Sequence, residues 1–334
     1  MPDWTPRSDY LGSLLNYVIR RILFMIPILV GVTMLVYFVG NAAGNPIALV
    51  LHGLRKPSPA LIAELTAYYH LNQPVTLRYL YYLWNLLHFN LGVSTTTNRP
   101  VALEIGAWTW TTLYLQLSAL FLSLAIGIPV AIYSAKHQYT KSDYVITGAT
   151  IFGYSMPTFW LGLMLIVVFA FYIPILPSYG ATAGGLRLWW GSPFMDSIAH
   201  LILPMAVLTY VEIATWVRVL RGNMLEVMRQ DYILAAYASG LSDRTITYRH
   251  ALKNAISPII TLVGLSIGAA LGGAPALETA FTWPGLGYAF TQAALSLDIT
   301  TVEGITIVIT IMVLFANLIV DLVYGMVDPR VRVS

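Results

Sequence analysis

Cysteine is absent from this chain, which excludes disulfides and thiolate-held metal sites. Charge is scarce as well: 10% of the residues are Asp, Glu, Lys or Arg, where a soluble domain carries roughly a quarter. The formal net charge of +3 is spread too thinly over 334 residues to suggest a nucleic-acid surface. No G-x-x-x-x-G-K-[ST] loop occurs, so the chain has no recognisable cradle for nucleotide phosphates. His52, His70, His88, His137, His200 and His250 are scattered, with no H-E-x-x-H pattern, which argues against an enzyme.

Hydrocarbon is abundant instead. Hydrophobic residues make up 57% of the chain and mean hydropathy is +0.71. Several separate apolar stretches reach the ~20 residues that cross a bilayer core, a length soluble domains have no need of. The chain reads as an all-α integral membrane protein. Six spans are expected near 18–39, 111–135, 145–173, 198–217, 258–277 and 302–327. Arg20 and Arg21 ahead of the first run, with Ala42 and Ala43 behind it, mimic a signal peptide. That run is too long for a signal segment and starts too far from the N-terminus.

Lys and Arg set the orientation, because cytosolic loops are enriched in them. With the N-terminus inside, thirteen fall on inner segments: Arg7, Arg20, Arg21, Lys136, Lys141, Arg218, Arg221, Arg229, Arg244, Arg249, Lys253, Arg330 and Arg332. Five fall outside: Arg55, Lys56, Arg78, Arg99 and Arg187. Both termini are therefore expected in the cytosol. The organisation expected is a cytosolic N-terminus with the first span (1–40), an extracytosolic helical region (41–108) and a helical membrane core (109–334). In the outer region Ser58 suits a helix N-cap ahead of Pro59. A second helix over 76–89 places Leu77, Leu80, Tyr81, Trp84, Leu87 and His88 on one face, to lie on the bilayer or against an external partner.

The densest charge sits in the inner loop 218–257, which joins spans four and five. It reads as helix, turn, helix: Gly240 suits the left-handed position that ends the first helix, and Ser242 or Asp243 can cap the second. Small residues Ala235, Ala236 and Ala238 are expected on an exposed face, where another protein can approach closely. A solvated loop and a helix-in-groove docking element both fit this pattern.

In span five, Gly264, Gly268 and Gly272 recur every fourth residue, which allows close packing within the subunit or against a second one lining a pathway. Pro157 interrupts span three and permits a kink. Glu212 and Asp321 lie near the inner ends of spans four and six. They are placed either to pair with Arg218 or Arg330, or to serve an ion-coupled transporter, although no second half repeats the first.

"DYILAAYASGL" followed by "RHALKNAISP" resembles the coupling-helix segment, the EAA motif, of ABC importer permeases of the dipeptide/oligopeptide branch. Collinear pieces agree: "YVIRRILFMIPILVGVTMLVYF", "LNQPVTLRYLYYLWNLLHFNLG", "GYSMPTFWLG", "ETAFTWPGLGYAF", Asp298 and "NLIVDLVYGMVDPRVR". The chain departs from the pattern in placing Leu234 where the general motif has glutamate. Tyr237 and Ser239 stand where the peptide branch tends to be basic.

The resemblance implies a type I ABC importer permease fold with an extracytosolic helical insertion between spans 1 and 2. It implies that Tyr232, Ala235, Ala236, Gly240, Leu241, Arg249, His250 and Asn254 couple the chain to an ATPase. The implied partners are a second, homologous permease forming a heterodimer, two ABC ATPases that hold the ATP and Mg, and an extracytosolic solute-binding protein. The chain itself would carry no cofactor and no catalytic residue. The branch carries peptides, oligosaccharides or nickel; the resemblance puts di- and oligopeptides first, with oligosaccharides the alternative. Nickel favours imidazole clusters, which are lacking. Nine Trp and 21 Tyr fit sugar stacking as well as membrane-interface belts.

Overall fold

The computed structural model describes residues 8–43, 58–68, 70–183 and 192–327. In chain order its helices are α1 (Ser8–Ala43), α2 (Pro59–Tyr68), α3 (Val75–Leu87), α4 (Val101–Lys136), α5 (Lys141–Ser155), α6 (Thr158–Tyr172), α7 (Pro193–Val227), α8 (Asp231–Ala238), α9 (Asp243–Ala255), α10 (Ser257–Ala270), α11 (Pro275–Ala280), α12 (Leu286–Leu295) and α13 (Ile299–Val327). Among the described residues no strand forms beyond an isolated bridge between Val93 and Pro100. Helices α1, α4, α7 and α13 are each long and apolar enough to cross a membrane. Two bent pairs, α5 with α6 and α9 with α10, bring the candidate spans to six.

Two compact units separate, one within residues 1–108 and 289–334, the other within 109–288. In the first, α1 packs along α13. The Arg21 guanidinium pairs with the Asp321 carboxylate, so this acid is neutralised from α1; the other expected partner, Arg330, lies outside the described residues. Tyr79 of α3 is buried against α1, its hydroxyl 2.9 Å from the Thr33 hydroxyl. Tyr37, Phe38 and Tyr82 complete an aromatic knot around it.

Leu23, Phe24, Leu35 and Val39 of α1 are exposed, a burden in water that hydrocarbon removes. Ser58 accepts from the Leu61 N–H at 3.2 Å, the cap read from the sequence. Helix α3 begins and ends one to two residues before the 76–89 expected, and Phe89 sits beyond it at φ +58°. Leu77, Leu80, Tyr81, Trp84 and Leu87 on α3 are all exposed.

The second unit is built around α7, against which α5, α6, α9 and α10 pack. Trp216, Val217, Leu220 and Met224 of α7 form one apolar centre with Leu120, Ala131, Ile132 and Ala135 of α4. Trp216 donates through Nε1 to Ser123 at 2.9 Å, and Ser123 donates to Glu212 at 2.6 Å. Glu212 is thus held by a hydroxyl from α4 rather than paired with Arg218, whose guanidinium instead lies 4.2 Å over the Tyr154 ring.

Two spans differ from the simple rods their run lengths suggest. At Pro157 the chain breaks into α5 and α6 at 105°, far beyond a kink, because Met156 and Pro157 both adopt extended backbone. Span five stops at Ala270 rather than near residue 277: Gly272 and Gly273 follow, Gly273 at φ +73°, and Pro275 starts a separate helix.

Candidate functional site

The charged segment between α7 and α10 forms a helical hairpin, α8 and α9, seated on the end of α7. Gly240 takes φ +75°, the left-handed conformation that closes α8 without a Cβ penalty. Ser242 then caps α9, its hydroxyl accepting from the Thr245 N–H at 3.3 Å. Ile233 and Ala236 of α8, with Ile246, Ala251 and Ala255 of α9, are buried in the same apolar centre as Leu220 and Met224. Burial of Ile233 alone contributes about 1.5–3 kcal/mol.

Ala236 therefore belongs to the inner face, correcting its expected exposure: it lies three residues after Ile233, on the same helical stripe. The outward stripe is Leu234, Tyr237, Ala238 and Leu241, flanked by Tyr232 and Ala235. Exposed apolar side chains on so small a helix leave it half-finished.

Polar contacts fix both the helix ends that seat the hairpin and the hairpin itself. Arg221 of α7 donates to both oxygens of Asp143 on α5, Nε to Oδ1 at 2.8 Å and Nη2 to Oδ2 at 2.7 Å. Ser134 of α4 donates to the same carboxylate. Lys136 at the end of α4 pairs with Asp243 at the start of α9. Tyr237 donates to Asp243 at 3.2 Å, and burial together with that carboxylate raises the phenol above its ordinary range. Asn254 of α9 donates to the Tyr232 hydroxyl of α8 at 2.8 Å. Arg249 is exposed and His250 half-buried. Tyr232, Ala235, Gly240, Leu241, Arg249, His250 and Asn254 thus share one element.

Pro157, Gly264, Gly268 and Gly272 do not gather into one face. Gly264 and Gly268 are buried on α10, which packs on α7, whereas Gly272 lies past the helix end. Both buried glycines are therefore covered within this chain. Pro157 marks the α5–α6 break.

Two acidic anchors had no role assigned from the sequence, although Asp298 and the segment that opens with Glu278 figure in the resemblance. Glu278 of α11 is fully buried: its Oε1 accepts from Thr112 and from the Ala274 N–H, its Oε2 from the Tyr288 N–H at 3.0 Å. The "WPGLG" turn wraps this carboxylate. Trp283 is buried and donates to the Thr111 carbonyl at 3.1 Å, so its ring serves the turn itself. In the other unit Asp298 caps α13 through the Thr301 N–H and draws in Ser94, Thr95 and Thr96. Burial pushes the Asp298 carboxyl up, but Ser94, Thr301, Thr95 and Thr96 together hold it below the ordinary aspartate range.

Comparison with known proteins agrees with this architecture. The family model "Binding-protein-dependent transport system inner membrane component" matches residues 127–333. The chain is 36% identical over 337 residues to "Dipeptide transport system permease protein DppB" of Escherichia coli (strain K12), covering 96% of this chain and 99% of that one. It is 38% identical over 318 residues to "Oligopeptide transport system permease protein AppB" of Bacillus subtilis (strain 168), covering 95% and 99%. Among solved structures, an inward-facing MetNI methionine ABC transporter chain superposes with a TM-score of 0.52 at 17% identity, covering 69% of this chain and 98% of that one, a likeness of fold. The chain belongs to the binding-protein-dependent transport system inner membrane component family, as a multi-pass membrane protein with the type I ABC importer permease fold.

Proposed function

We propose that this chain is a pathway-forming subunit of an ATP-driven importer of di- and oligopeptides in the cytoplasmic membrane, with both termini in the cytosol. Its partners are a second, similar permease completing a heterodimer, two ATPases that hold ATP and Mg, and an extracytosolic binding protein that delivers cargo. The Escherichia coli and Bacillus subtilis relatives are named as dipeptide and oligopeptide permeases, which favours peptides over oligosaccharides. The thirteen-to-five division of basic residues supports the orientation. Glu212 and Asp321, held by Ser123 and Arg21, lack the unclaimed character of an ion-coupling carboxylate.

The carrying observation is the outward stripe of α8, apolar and exposed, on a hairpin that is otherwise bolted down. In this reading the stripe enters a groove on one ATPase. Closure of the ATPases on ATP then moves the hairpin. Because Lys136–Asp243 ties it to α4 and its apolar face is seated on α7, which Arg221–Asp143 joins to α5, the displacement passes into those helices instead of being absorbed by loop bending. The access of the pathway changes as they tilt.

Uptake by proteoliposomes holding the full complex and its binding protein tests the reading. ATP-dependent accumulation of a labelled dipeptide, without accumulation of a labelled oligosaccharide, is expected. Accumulation of the sugar alone would overturn the cargo.

A further inference from the structure

We propose that a cavity within the extracytosolic region binds the zwitterionic main chain of a small peptide, its ammonium at Glu303 and its carboxylate at Arg78. This rests on the peptide reading above. The cavity, about 520 Å³, lies between the end of α1, the α2–α3 segment, the loop after α3 and the first turn of α13. That size falls in the ~300–1,000 Å³ range of small-molecule sites. Glu303 and Arg78 line it together with Asn41, Tyr82, Asn85 and Asn90.

Charge bookkeeping inside the cavity points to a ligand. The Nε of Arg78 and the hydroxyl of Tyr82 are buried with no hydrogen-bond partner. Among the described residues no ion pair joins Arg78 to Glu303, and no hydrogen bond engages the Glu303 carboxylate. Buried polar groups are ordinarily paired, since leaving one unsatisfied costs its full desolvation. Here a half-buried carboxyl group and a half-buried guanidinium line one cavity without pairing. The glycine at position 40 lets the Ile299 and Glu303 side chains approach α1 closely: a Cβ there would fall 2.5 Å from Ile299 Cγ2 and 2.9 Å from Glu303 Oε1. A guanidinium, a carboxyl group and three side-chain amides lining one cavity match a ligand that carries an ammonium, a carboxylate and a peptide group.

Calorimetric titration tests this on the permease–ATPase complex purified without the soluble binding protein, using dialanine, N-acetyl-dialanine and dialanine amide. Dialanine is expected to bind, and each cap to weaken binding about tenfold or more, as loss of a charge-assisted hydrogen bond does. In Glu303→Gln the penalty for acetylation should vanish while that for amidation persists; Arg78→Gln should show the reverse. If either variant fails to assemble, the three ligands on the native complex decide alone. Absence of dialanine binding, equal binding of capped and uncapped forms, or penalties unchanged in both variants would overturn the proposal. Displacement of dialanine by a phosphatidylethanolamine headgroup of higher affinity would overturn it in favour of a lipid site. Dipeptide uptake without titratable binding would sink the cavity proposal and spare the cargo. Binding without uptake would do the converse.

Discussion

Arg221 holds Asp143 in a bidentate grip across 78 residues of sequence, with both nitrogen–oxygen distances below 3 Å. The Asp143 side chain is only 4% exposed, so its charge depends on that guanidinium. Replacing Arg221 with Ala leaves a buried carboxylate uncompensated and should cost about 3–5 kcal/mol. Lys cannot reproduce the planar fork and should recover only part of it. Thermal unfolding of the purified complex in detergent reads both, and an unchanged Tm for Arg221→Ala would contradict this anchor.

The α8 stripe makes a functional prediction. Ala235→Arg places a long charged side chain on the outward face without touching the buried Ile233 and Ala236. Peptide uptake should fall at least about tenfold, the change 1.4 kcal/mol of lost contact produces. The chain should still insert and keep its Tm. Uptake at the native rate would show that this face meets nothing.

At Gly287 the added methyl of an Ala substitution meets backbone: 2.7 Å from Pro275 Cα and 2.8 Å from Pro275 N. Backbone cannot swing aside, so Gly287→Ala should destabilise by about 1–3 kcal/mol. Gly148, in the interior of α5, has nothing within 4 Å of the added Cβ. Gly148→Ala should be neutral or raise Tm slightly, since Ala is the better helix former. Equal behaviour of the two variants would refute the crowding.

Asp298 carries a pH signature. Its folded pKa is lowered, so its contribution is present above the ordinary aspartate range and is lost as pH falls through the folded value. Asp298→Asn should cost about 2–3 kcal/mol at neutral pH, the scale of hydrogen bonds to a charged acceptor. The gap between native and variant Tm should narrow on acidification. A gap independent of pH would contradict it.

Local chemistry was legible in the sequence. The Ser58 cap, the Gly240 turn and the Ser242 cap each depend on neighbours within a few residues, and each stands as read. Run length likewise indicated six spans, because bilayer thickness imposes it. Acidic anchors were not legible. Asp298 finds Ser94 across 204 residues and Glu278 finds Thr112 across 166, so their partners exist only once helices have packed. The same holds for Glu212 and Asp321, which near span ends read as interfacial charges until Ser123 and Arg21 were seen beside them. Ala236 was misread because small residues pack inward as readily as outward, and only the Ile233 stripe decides between the two.

Coupling through α8 is the central claim, and the absence of cysteine makes it directly measurable. A single Ala235→Cys, carrying a maleimide photo-crosslinker in the assembled complex, should form a covalent adduct with an ATPase subunit. Phe89→Cys, at an exposed site just past α3, should form none with that subunit. Equal adducts from both positions, or none from Ala235→Cys in a complex that still hydrolyses ATP, would contradict the account.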